Sequence, residues 1–150
     1  MAERDYTTRR MGIVKAIETK LKTINGNSPF RSNLYNNVLP RLQFWDEVSD
    51  FPAVHVSAGS ETREYQGGGY KDRFLTVTIR VYVQEENAIF ALEKLFEDIE
   101  TVLEQNSRLE YKDLDNNSQY TYQITIVSID SDEGALEPLG VGEIICEVRY

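Results

Sequence analysis

The chain has 150 residues, 41% hydrophobic and 27% charged, with a formal net charge of −9, one cysteine and one histidine. Such a length and composition suit a single globular domain, 1–150, with a substantial core, and exclude a disordered tail. No apolar run reaches the ~18 residues of a membrane span and no leader-like segment opens the chain, so a soluble protein made in the cytoplasm, without a membrane partner, is expected. The lone Cys146 and lone His55 leave no internal disulfide and no Cys/His zinc set.

The charge is uneven along the chain. Residues 1–50 carry eight Lys/Arg against six Asp/Glu, whereas residues 51–150 carry eight against nineteen. Because gripping phosphates needs a surplus of basic groups on one surface, the acidic majority opposes a nucleic-acid-binding role, although DNA could pass such a surface.

In chain order, the first periodic segment is "DYTTRRMGIVKAIETKLKTINGN". Ile13 or Val14, Ile17, Leu21 and Ile24 recur near the helical period, with Asp5 or Thr7 as N-cap and Asn25-Gly26-Asn27 as the stop. Leu34–Leu39 reads as a short edge strand before Pro40, followed by an irregular stretch that Phe44 and Trp45 would anchor. Pro52 then opens a strand in which Val54 and Val56 face the core and His55 faces away, as a surface or interface residue.

The tip sequence Gln66-Gly67-Gly68-Gly69-Tyr70-Lys71 has two readings. A phosphate-binding loop would have to open a helix, but Lys71 is followed by Asp72 and a long strand pattern. Two strands flanking Gly-Gly signal a hairpin instead, since tight primed turns need positive φ. The arms from Glu61 to Arg73 are polar on both faces, so they are expected to project from the domain, mobile or ordered by a neighbour.

Beyond the tip, Leu75, Val77, Ile79, Val81 and Val83 alternate with Thr76, Thr78, Arg80 and Tyr82, the clearest strand in the chain. A second helix, "NAIFALEKLFEDIETVLEQN", buries Ala88, Leu92, Leu95, Phe96, Ile99, Val102 and Leu103. Its outer face carries Glu93, Glu97, Glu100 and Glu104, either simply solvated or made for a basic partner. Two closing strands follow, with Ile144, Cys146, Val148 and Tyr150 on one face. Between them, Asp130–Gly134 lacks the spacing of a calcium loop and reads as an acidic turn.

These elements predict an α+β fold: a mainly antiparallel sheet of four to five strands with a long β-hairpin, flanked by two helices. Leu75, Val77, Ile79, Val81, Leu95, Ile99, Ile124, Ile144 and Val148 form its expected core. No nucleophile elbow, shielded carboxylate pair or cofactor signature is present, so neither an enzyme nor a cofactor is expected.

The succession of a basic N-terminal helix, "FPAVHVSAG", a hairpin ending in "LTVTIRVYV", the helix "ALEKLFEDIETVL" and the ending "SIDSDEGALEPLGVGEIICEVRY" resembles the tail terminator, or tail-completion, proteins of long-tailed bacteriophages. The resemblance implies a virion protein forming a homo-oligomeric ring, a hexamer, that caps the tail tube, stops its polymerisation and docks the head. Its implied partners are other copies of itself, the tail tube protein and a head–tail connector or stopper protein, with DNA only as cargo passing through the lumen. Arg63, Tyr65, Gly67, Gly68, Gly69, Tyr70, Arg73, Arg80 and Tyr82 are the expected contact residues. Two alternatives share the pattern: another connector or tail-tube subunit of a phage or contractile injection device, and a small-molecule-binding α+β domain.

Overall fold

The computed structural model describes residues 8–150. The first helix, α1 (Arg9–Leu21), starts at Thr8, whose hydroxyl accepts the Met11 N–H at 3.1 Å. This satisfies one of the helix's orphan donors. Asp5 and Thr7, the caps expected from sequence, lie outside the described residues. The helix stops before Asn25-Gly26-Asn27, where Gly26 takes a φ of +82°.

Two residues, β1 (Val38–Leu39), run parallel to the start of β2 (Ala53–Tyr65). The strand β2 turns back into β3 (Lys71–Gln84), and α2 (Ala88–Gln105) follows, capped by Asn87. Two short strands, β4 (Glu110–Lys112) and β5 (Ser118–Tyr120), form a separate hairpin. The chain closes with β6 (Gln123–Ser131) and β7 (Leu139–Arg149). The main sheet has the order β1-β2-β3-β7-β6, and every pairing except β1–β2 is antiparallel. This is the α+β class expected from the alternating and helical periods.

Both helices cover one face of this sheet, α1 over β1 and β2 and α2 over β3, β7 and β6. All nine expected core residues are buried there. The α2–β7 approach is tight at Gly142, where a Cβ would lie 2.3 Å from Cζ of Phe96. A side chain at that position would push the helix off the sheet, which gives the Gly140-Val141-Gly142 stretch a packing reason.

Three features depart from the sequence reading. His55 does point away from the helices, yet it is only 1% exposed, because the segment after Pro40 folds over that end of the outer face. Tyr82 beside it is buried too, its ring 5.2 Å from the imidazole and its hydroxyl donating to the Gln43 carbonyl at 3.3 Å. This bond attaches the covering segment, whereas Phe44 is 74% exposed and does not anchor it. The side chain of Trp45 lies outside what is described. The β4–β5 hairpin has no counterpart in the sequence pattern, although its Tyr111 is buried, β4 packs beside α1, and Leu109 just before β4 is buried as well.

Candidate assembly surface

The hairpin is built in two parts by its neighbours in the sheet. From Ala53↔Tyr82 to Ala58↔Val77 its arms lie in the multi-stranded sheet and bury Val54, Val56, Val77, Ile79 and Val81. A bulge between Ala58 and Glu61 then shifts the register, and the ribbon continues to Tyr65↔Lys71. Such an extra residue bends a ribbon and strengthens its twist. The strand β7 accompanies β3 only as far as Phe74↔Arg149, so beyond this point the ribbon is two strands wide. Two strands alone bury too little to be stable unaided.

What steadies the ribbon is a clamp at its base made by Tyr150. Its backbone exchanges hydrogen bonds with Arg73, N–H to carbonyl, at 3.0 and 3.3 Å. Its ring meets Tyr111 edge-on at 6.3 Å and lies under the guanidinium groups of Arg9 and Arg73, 5.1 and 5.4 Å away. Its hydroxyl donates to the Glu61 carboxylate, which also accepts from Arg63 Nε at 2.7 Å. Burial alone would raise the Glu61 pKa, but these two donors, with the charges of Arg63 and Arg10, bring it below the usual carboxylate value. Burial and the same carboxylate push the Tyr150 hydroxyl well up, so it stays a donor. Farther out, Arg149 reaches Asp72 at 2.8 Å, and on the sheet side Arg10 donates to the Gly59 carbonyl at the bulge. The ribbon is therefore anchored at its base by its own subunit, and only the portion near the tip stands free of it.

The tip closes through the Gln66 N–H, which donates to the Tyr70 carbonyl at 2.7 Å. Gly68 and Gly69 have φ of +77° and +84°, while a Cβ on Gly67 or Gly69 would meet nothing within 4 Å. The glycines are there for conformation rather than packing. They form a three-residue connection, one longer than the two-residue primed turn. Tyr65 and Tyr70 flank it at 73% and 76% exposure, and Lys71 Nζ lies 6.0 Å from the Tyr65 ring.

Of the contact residues expected from sequence, the structure brings Arg63, Tyr65, Gly67, Gly68, Gly69 and Tyr70 together at this free end. Arg73 sits at the clamp with its Nε buried and unpaired. Arg80 lies on the outer sheet face, 3.2 Å from Glu143, and Tyr82 is interior, presenting no surface in the subunit. The parts that sequence reasoning missed are Tyr150, Tyr111 and Arg9. Their signal is tertiary, since residues over a hundred positions apart meet at one ring.

Among the described residues no cluster of His, Cys, Asp or Glu is arranged to hold a metal. Cys146 is buried, and desolvation pushes its thiol up to about 12, far from nucleophilic thiolate character. An α+β domain whose distinctive features are a clamped projecting ribbon and a tip of exposed tyrosines has the layout of a structural assembly protein.

The comparisons with known proteins say which. A family model described as Bacteriophage Tail Tube Terminator Protein matches residues 7–150. Tail tube terminator protein p142 of Escherichia phage T5 is 37% identical over 149 residues, covering 94% of this chain and 92% of that one. A chain from the virion of native gene transfer agent particle shares the fold at a TM-score of 0.58, with 10% identity and coverage of 92% and 93%. The chain belongs to the bacteriophage tail tube terminator family, as a structural protein of the virion tail.

Proposed function

We propose that this protein assembles into a closed ring of six copies that caps the tail tube, ends its polymerisation and provides the surface on which the head–tail connector docks. The whole chain, 1–150, acts as one domain in this role, no reaction is catalysed, and DNA passes through the lumen without being gripped. The observation that carries the reading is the hairpin, together with the family. Its base is locked by Tyr150 and its tip is not, which suits an arm that holds its direction while its end is ordered by another molecule. Tyr65 and Tyr70 give this end flat apolar contact with a polar handle, the chemistry favoured at wet protein interfaces. The contact residues are Arg63, Tyr65, Gly67–Gly69 and Tyr70 at the tip, supported by Arg73 at the clamp and Arg80 on the outer sheet face.

The register supplies the test. Since Glu64 faces Asp72 in the same hydrogen-bonded set as Gln66 and Tyr70, whereas Arg73 spends its backbone bonds on Tyr150, replacing Tyr65–Lys71 with Asn-Gly leaves a competent two-residue turn on intact strands. The shortened protein should fold and melt near the parent temperature, yet in a complementation assay leave tails overlong or unjoined to heads. Normal-length, head-joined tails from the shortened protein would remove the hairpin from the mechanism.

A further inference from the structure

The two helices carry opposite charge. Along α1 there are four basic residues to one acidic, and along α2 five acidic to one basic. They also occupy opposite flanks of the molecule: α1 lies over the β1–β2 side of the sheet, while α2 reaches the far edge at β6. Beside each helix is a hollow with an apolar floor. Between α2 and β6 a groove of about 430 Å³ runs over Leu103, Ile124 and Ile126, rimmed by Glu100 and Glu104. Between α1 and β4 a hollow of about 290 Å³ has Gly12, the half-buried Ala16 and the edge of the buried Tyr111 as its floor, and its rim carries Lys15, Lys20 and Lys112 against one carboxylate, Glu110.

Neither flank neutralises itself. Lys15 and Lys20, like Glu93, Glu100 and Glu104, have no ion-pair partner among the described residues. On the acidic flank β6 is also the last strand of the sheet, with no strand among the described residues paired to its outer side and with Val127 and Ile129 exposed along it. Uncovered apolar edge strands invite pairing and are normally shielded.

We infer that the acidic groove between α2 and β6 receives the basic α1 face of a second copy of this chain. This rests on the ring reading and supplies its subunit contact. The occupant follows from the charge pattern: the complement of each flank is carried by the same chain on its other flank. A two-fold dimer needs one self-complementary patch, whereas two complementary patches on opposite flanks make a head-to-tail contact, which closes into a ring or continues as a filament. The contact sets Lys15 and Lys20 against Glu100 and Glu104 over an apolar centre, so that charge fixes the partner's orientation and salt weakens the association.

Charge exchange tests it. One variant, Glu100→Lys with Glu104→Lys, has two basic flanks; the other, Lys15→Glu with Lys20→Glu, has two acidic flanks. Each is first shown by circular dichroism to fold, then sedimented alone and as an equimolar mixture. Alone, each should need a concentration roughly a hundredfold above that of the parent to assemble, because like charges now meet across the contact. Mixed, the two should assemble at parental concentrations, alternating around an even-numbered ring.

Assembly of either variant alone at parental concentrations, or a mixture of folded variants that stays monomeric, overturns the inference while leaving the ring standing. A parent chain that remains monomeric under all conditions overturns the ring as well. Should a reversed variant fail to fold, Glu100→Gln with Glu104→Gln carries the same test: its assembly should depend less steeply on salt than the parent's, and an unchanged salt slope would refute the contact.

Discussion

Asp98 sits in a row of acidic residues on α2, yet it is only 2% exposed and holds a loop in place. Its Oδ2 accepts the Ser32 N–H at 2.7 Å, and both oxygens share the Arg31 N–H at 3.1 Å. The Asp98→Ala substitution strands two backbone donors in a poorly hydrated site. A buried donor left without a partner costs about 1–3 kcal/mol, and the loop can relax enough to hydrate part of it, so a loss of about 2–4 kcal/mol is expected. Removing one negative charge from an acidic helix returns only a few tenths of a kcal/mol and does not change the sign. For a chain of this length that loss corresponds to a fall of about 5–12 °C in melting temperature. Asp98→Asn keeps a neutral acceptor and should lose about half as much. Urea denaturation of both variants gives the magnitudes, and amide exchange at Arg31 and Ser32 shows whether the loss is local. An Asp98→Ala protein within about 0.5 kcal/mol of the parent, with the Arg31 amide still protected, would refute this role for the carboxylate.

Three further outcomes are expected. Gly12→Ala normally stabilises a helix interior, but here its Cβ would lie 2.2 Å from the Lys112 carbonyl oxygen. A loss of about 1–3 kcal/mol is expected instead, and a rise in denaturation midpoint would contradict the close α1–β4 approach. Burial first, then the charges of Arg80 and Arg41, hold the His55 pKa below 6.5. The unfolded chain therefore takes up a proton that the fold resists, and stability should fall as pH drops below about 6.5. The lowered Glu61 pKa acts in a separate window, its contribution present above about 4.5 and lost as pH falls through the folded value. Melting curves from pH 8 to 3, with His55→Phe abolishing only the upper step, check both; a parent with a flat profile between neutrality and pH 5 would contradict the burial of His55. Cys146 should resist aromatic disulfide reagents in the native protein and react fully in denaturant, whereas rapid native labelling would place that thiol at the surface.

Much of the core was legible because each buried position carries its own periodic signal. Leu75 to Val83 alternate in β3, and Leu92, Leu95, Phe96 and Ile99 recur at helical spacing in α2, so local pattern and tertiary burial agree. His55 shows where such patterns end. Alternation places it on the outer face correctly, but whether that face meets water depends on where the segment after Pro40 comes to rest. Asp98 is hidden differently: its spacing, three after Leu95 and four before Val102, places it on the buried side of α2, but only the folded position of the Arg31–Ser32 backbone shows what its carboxylate holds. The β4–β5 hairpin has three-residue strands, too short for alternation to stand out from the loop around Asp113. At the candidate surface, the triple glycine and its flanking tyrosines mark the tip in sequence. The clamp does not show there, because Tyr150, Glu61, Arg9 and Arg73 are brought together only by the folded sheet.

The central claim, that this chain ends tail-tube growth, is tested most directly by measuring tail lengths in electron micrographs of lysates from a phage lacking a functional copy of its gene, with and without the protein supplied in trans. Without the protein, tubes of excess and variable length without attached heads are expected, and supplying it should restore one length and joined particles. Tails of uniform normal length, joined to heads in its absence, would contradict the account.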